Sequence, residues 1–177
     1  MKVYRGKKFE IVDKEYRKFP NKDIKLPERK TKESAGYDFY SNQTVNIPPG
    51  QSYIFWTDVK VLVESNQFLM VVPRSSTAFN KSIMLMNTIG VVDADYYNNE
   101  DNDGNIAICL FNFGDSTISI KEGERFAQGI IAFYDNEPGE HVEETRKGGL
   151  GSTEVDADGG SFSATVILSD SPETSQI

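Results

Sequence analysis

Thr44-Val45-Asn46-Ile47, Tyr53-Ile54-Phe55-Trp56, Val59-Lys60-Val61-Leu62-Val63 and Phe68-Leu69-Met70-Val71-Val72 follow one another with only a few residues between them. Each run is short and rich in β-branched and aromatic side chains, and Pro48-Pro49-Gly50 and Ser65-Asn66 punctuate the series with turn chemistry. Helices need longer stretches with a 3.6-residue period, so this succession spells strands. Working outward, Lys8–Val12 and Gly36–Tyr40 repeat the pattern upstream. Ile106–Phe113, Thr117–Ile120 and Ile130–Tyr134 repeat it downstream, with turns at Gly114-Asp115 and Glu122-Gly123. Only Thr77–Lys81 offers a short helical turn. Many short strands with no helices between them predict an all-β sandwich, jelly roll or small barrel.

The chain has 177 residues, 38% of them hydrophobic, which supplies the core of one domain. We expect that domain over residues 1–155, followed by an acidic, flexible tail over 156–177 whose lead-in is Asp156-Ala157-Asp158-Gly159-Gly160-Ser161. Within the tail, Ala164–Leu168 has strand character. No apolar run approaches membrane-spanning length, and the charged start lacks a signal-peptide core, so the expected location is cytoplasmic. Net charge is −8, against general nucleic-acid binding, although residues 1–25 carry nine basic and four acidic side chains. One cysteine, Cys109, permits no intrachain disulfide or cysteine-based zinc site, and its apolar neighbours mark it as a small core residue. The lone His141 sits in a polar stretch unsuited to a catalytic triad, and neither common glycine-rich nucleotide loop is present.

Five polar segments exceed what strand packing requires. Ala35-Gly36-Tyr37-Asp38 puts a carboxylate in an apolar strand pattern, where an unpaired charge is costly. Pro73-Arg74-Ser75-Ser76 ends a strand with a guanidinium and hydroxyls, suited to phosphate oxygens or to an ordinary helix cap. Asn87 through Tyr96 carries Asp93 and Asp95 after an apolar triplet, and a carboxylate there can orient and deprotonate water. The acidic stretch to Gly104 lacks the spacing and closing glutamate of a calcium loop. Arg125-Phe126-Ala127-Gln128 flanks a strand, and Thr145 through Thr153 gathers glycines, cations and hydroxyls into a donor-rich arm.

In order and spacing these segments resemble the five motifs of the trimeric dUTP diphosphatase (dUTPase) family, over about residues 8–155. The resemblance implies a jelly-roll subunit in a homotrimer with active sites at subunit interfaces, hydrolysing dUTP to dUMP and pyrophosphate with Mg2+ on the triphosphate. It implies Asp93 as the base that activates the attacking water, Tyr96 as the wall against deoxyribose, and Asn87 on the uracil edge beside Gly90 and Ile106. It further implies phosphate contacts from Ser75 and Gln128, with Arg74 holding the site across an interface. Asp38 would hold a magnesium-bound water.

Three departures from the family pattern stand out. Ser76 replaces the usual glycine of the second motif and adds a donor. Between Tyr96 and Gly104 the usual single residue has become Tyr97–Asp103, a longer acidic hairpin. In the fifth motif Leu150 takes the place of the aromatic that covers uracil, with Gly151 and Ser152 beside it. Arg146 is preferred for the γ-phosphate for its two-pronged geometry, with Lys147 its rival. Two alternatives stay open at this point: a dCTP deaminase on the same fold, and a regulator on a dUTPase scaffold that binds a protein partner through the hairpin insert or the tail.

Overall fold

The computed structural model describes residues 8–137, Arg146, Gly148 and the backbone of 166–167. The strands are β1 (Phe9–Ile11), β2 (Tyr37–Tyr40), β3 (Val45–Ile47), β4 (Ser52–Trp56), β5 (Val59–Val61), β6 (Gln67–Pro73), β7 (Ile83–Leu85), β8 (Gly90–Val92), β9 (Ala107–Asn112), β10 (Ile118–Ile120), β11 (Arg125–Phe133) and β12 (Val166–Ile167). One helix, α1 (Ser75–Lys81), and two 3-10 turns, Lys14–Tyr16 and Ala94–Tyr96, interrupt them. The fold is all-β and jelly-roll-like.

Two four-stranded sheets, ordered β2-β11-β6-β8 and β12-β4-β9-β7, carry the architecture, with the ribbons β1-β5 and β10-β3 beside them. Neighbours pair antiparallel except β12, whose backbone runs parallel to β4. Alternation along β6 sends Leu69 and Val71 inward, and β9 does the same with Ile108 and Leu110. Phe55 of β4 stacks on Phe126 of β11 at 4.6 Å between ring centroids, joining the two sheets through the core. A bulge in β11 between Arg125 and Ala127 breaks the alternation, so that Phe126 and Ala127 are both fully buried.

Every strand read from the sequence exists, with ends shifted by a residue or two, except that β11 begins at Arg125 rather than Ile130. Its polar residues Arg125 and Gln128 share a sheet face with Asp38 of the neighbouring β2, and Arg125 bonds that carboxylate. β7 and β8 escaped the sequence reading because each has three residues and Asn87-Thr88 separates them. The short turn expected at Thr77–Lys81 is a full helix from Ser75, and Arg74 at its start makes no side-chain cap. Of the expected strand Ala164–Leu168, Val166–Ile167 form β12 and the rest lies outside the described residues. No helix among the described residues is long and apolar enough to cross a membrane. The linker 156–161 and residues 168–177 lie outside the described residues, as do Lys147, Leu150, Gly151 and Ser152.

Candidate active site

β7 pairs with β9 in one sheet and β8 pairs with β6 in the other, so the corner between them straddles the gap between sheets. Asn87 lies on that corner, where Thr88 adopts positive φ and the Ile89 amide donates to the Asn87 carbonyl. Beside it opens a cavity of about 440 Å³. Asn87, Gly90, Asp93, Tyr96, Ile106 and Arg146 all line it, and Ile54, Val71, Leu85, Ile108 and Cys109 form its apolar depth. An apolar slot with a few convergent polar groups is the usual form of a small-molecule site. Burial pushes the Cys109 thiol pKa up, but the residue is only partly buried and lines the cavity wall rather than the core expected for it.

The ladder Leu69↔Val92, Met70↔Val91 and Val71↔Gly90 fixes β8, and Asp93 follows directly as the N-cap of the turn Ala94–Tyr96. Its carboxylate does not cap that turn. Instead Oδ2 accepts from the Arg146 guanidinium at 2.9 Å, and Arg146 Nε also reaches Asp95 Oδ1 at 3.2 Å. The same guanidinium lies over the Tyr96 ring, 5.6 Å from its centroid. Tyr96 is buried, and loss of solvent raises its hydroxyl pKa above the ordinary value. The Tyr96 hydroxyl donates to the Asn105 carbonyl and accepts from Asn102 Nδ2.

The other sequence-derived residues assemble elsewhere on the subunit. β11 lies between β2 and β6, which brings Asp38 and Arg74 to its two sides. Asp38, only 7% exposed, accepts from Arg74 Nε at Oδ1 (2.8 Å) and from Arg125 Nη1 at Oδ2 (2.9 Å). The carboxylate that looked out of place in a strand is therefore doubly paired. Arg74, Ser76 and Arg125 line a second concavity of about 490 Å³ with Lys30, Lys81 and Glu124. Ser75 is exposed at the first position of α1. Gln128 Nε2 donates to the Pro73 carbonyl, and its side chain lies over Gly36, where a Cβ would stand 2.2 Å from Oε1. A side chain at position 36 would therefore displace the Gln128 amide.

The two concavities share no lining residue, so the chain holds the parts of the expected site in two places. Sequence reasoning quoted Arg125 and Asp95 without giving either a role. It gave no role to Lys30 and Lys81, which belong to none of the five segments. Among the described residues no cluster of three or more His, Cys, Asp or Glu can hold a metal. A cage built by the protein does not fit. A metal that arrives on an anionic ligand and keeps its waters does fit, because each Asp38 oxygen has a lone pair beyond the one its arginine takes.

The family profile described as dUTPase matches residues 22–154. A deoxyuridine 5'-triphosphate nucleotidohydrolase of Lactococcus lactis subsp. lactis (strain IL1403) is 38% identical over 148 residues, 82% of this chain and 95% of the relative. The enzyme of that name from Mus musculus is 36% identical over 132 residues, 72% of this chain and 76% of the relative. Among solved structures, the crystal structure of dUTPase from Streptococcus mutans superposes with a TM-score of 0.67 at 32% identity, covering 75% of this chain and all of that one.

Proposed function

The chain belongs to the dUTPase family and is a dUTP diphosphatase, and from that premise we propose how its residues divide the reaction. The observation that carries the reading is the meeting of Asn87, Gly90, Asp93, Tyr96 and Ile106 around one slot between the sheets. A flat, uncharged base enters the apolar depth, Asn87 takes its polar edge, and the sugar lies against Tyr96. Asp93, at the rim, accepts a proton from water and directs its oxygen to the α-phosphorus. The new P–O bond forms as the bond to the bridging α–β oxygen breaks, so dUMP and pyrophosphate leave.

Arg146 now neutralises Asp93 and Asp95, and a triphosphate offers the guanidinium a stronger partner. Transfer of Arg146 to the γ-phosphate then releases the carboxylate for its water. Lys147 remains the rival for that phosphate, while Leu150 covers the base and Gly151 and Ser152 wrap the phosphates. Mg2+ supplies charge neutralisation and orientation of the phosphates when bound, with Asp38 holding one of its waters. Arg74, Ser75, Ser76 and Gln128 supply the remaining phosphate donors.

Of those donors Arg74 and Ser76 line the second concavity, which shares no residue with the slot around Asp93, so we further propose a homotrimer in which one subunit's arginines complete a neighbour's slot. The test of function is a panel of dUTP, dCTP, UTP and dTTP assayed for pyrophosphate and ammonia. Pyrophosphate from dUTP alone is expected, and ammonia from dCTP would instead mark a deaminase.

A further inference from the structure

The residues that separate Tyr96 from Gly104 form a brace rather than a loose loop. The Asn99 side chain donates to the Tyr96 carbonyl (2.8 Å) and to Asn102 Oδ1 (2.8 Å), and its own Oδ1 accepts the amides of Asp101 and Asn102. Asn102 Oδ1 also accepts the Gly104 amide, which leaves its Nδ2 to donate to the Tyr96 hydroxyl at 2.9 Å. That hydroxyl donates onward to the Asn105 carbonyl at 3.1 Å. Below this network Lys60, 6% exposed, binds both carboxylate oxygens of Asp103 at 2.8 Å and pins the insert to β5. Gly104 has φ +79, and a Cβ there would stand 2.9 Å from the Tyr96 carbonyl, so the chain closes tightly behind the ring.

We propose that Asn102 is a positioning residue for sugar selectivity: it fixes the Tyr96 ring from behind, so that the wall against a 2′-hydroxyl cannot lean away. This rests on the dUTPase reading above. A tyrosine tied only at its backbone can tilt by a fraction of an ångström, and that suffices to admit an extra oxygen. With its hydroxyl held between an amide donor and a carbonyl acceptor, the ring has one position. The insert thus does for this chain what a short hairpin would do by brevity alone.

Asn102→Ala removes the donor, and the loss of one partly buried hydrogen bond corresponds to about a tenfold effect. The expected result is about a tenfold fall in the dUTP-over-UTP ratio of kcat/KM, with kcat for dUTP within about twofold of wild type. Asn102→Asp keeps the acceptor that closes the insert, and its second oxygen accepts from the Tyr96 hydroxyl in place of the Asn105 carbonyl, so the ring stays held and most of the selectivity should remain. Tyr96→Phe removes the group being held. Adding Asn102→Ala to it should change selectivity no further, the signature of two residues acting as one. Retained preference in Asn102→Ala, equal losses on dUTP and UTP, or additive effects in the double variant would overturn the proposal. A wild-type chain inert toward dUTP would overturn the functional reading and this inference together, whereas a wild-type preference that survives in Asn102→Ala overturns the inference alone.

Discussion

Asp93 is where sequence and structure meet most directly. Its neighbours Gly90 and Tyr96 share the cavity with it, so a motif contiguous in the chain became a site contiguous in space. Asp93→Asn should reduce pyrophosphate release by at least about a hundredfold, because general-base catalysis contributes factors of about 10²–10⁴. Nucleotide binding, followed by calorimetry, should persist. Arg125 shows the limit of such reading. Its partner Asp38 is 87 positions away in the chain, and only the pairing of β11 with β2 brings them together. Arg125→Ala leaves the buried Asp38 with one guanidinium instead of two. We expect it to cost about 1–3 kcal/mol of stability and to raise KM for dUTP, read from denaturant unfolding and steady-state kinetics.

At the scale of elements, strands with several apolar residues were legible because their side chains alternate visibly between core and surface. The three-residue strands β7 and β8 were not, because their pairing partners in β9 and β6 define them more than their own composition does. The insert was visible only as extra acidic length. Its inward-facing amides and the Lys60–Asp103 pair depend on a fold that brings β5 beneath it. Lys60→Ala strands a buried carboxylate and should lower stability by about 3–5 kcal/mol, measured as a shift in denaturant midpoint. Two deletions separate the ends of the chain. Removing 156–177 takes away only the two-residue pairing of β12 with β4 among the described contacts and should spare turnover. Removing 146–155 takes away Arg146 and the glycine-rich arm and should cripple it.

For the molecule as a whole, the net charge of −8 first reads as an obstacle to a triphosphate. The structure shows local cations instead: Arg146 at the first concavity, and Arg74, Arg125, Lys30 and Lys81 at the second. Their separation within one subunit is the reason to expect assembly. Light scattering should therefore give three times the 19.8 kDa chain mass, and a catalytically active monomer would contradict the interfacial site. An assembly was not legible from residue patterns alone, since nothing in the composition of β8 or β11 marks Val91 or Phe133 as exposed. The central claim is attack by an Asp93-directed water on the α-phosphorus of dUTP, and turnover in heavy-oxygen water followed by mass spectrometry of both products tests it most directly. The heavy oxygen should appear in dUMP and be absent from pyrophosphate; label in pyrophosphate, or no turnover of dUTP, would contradict the account.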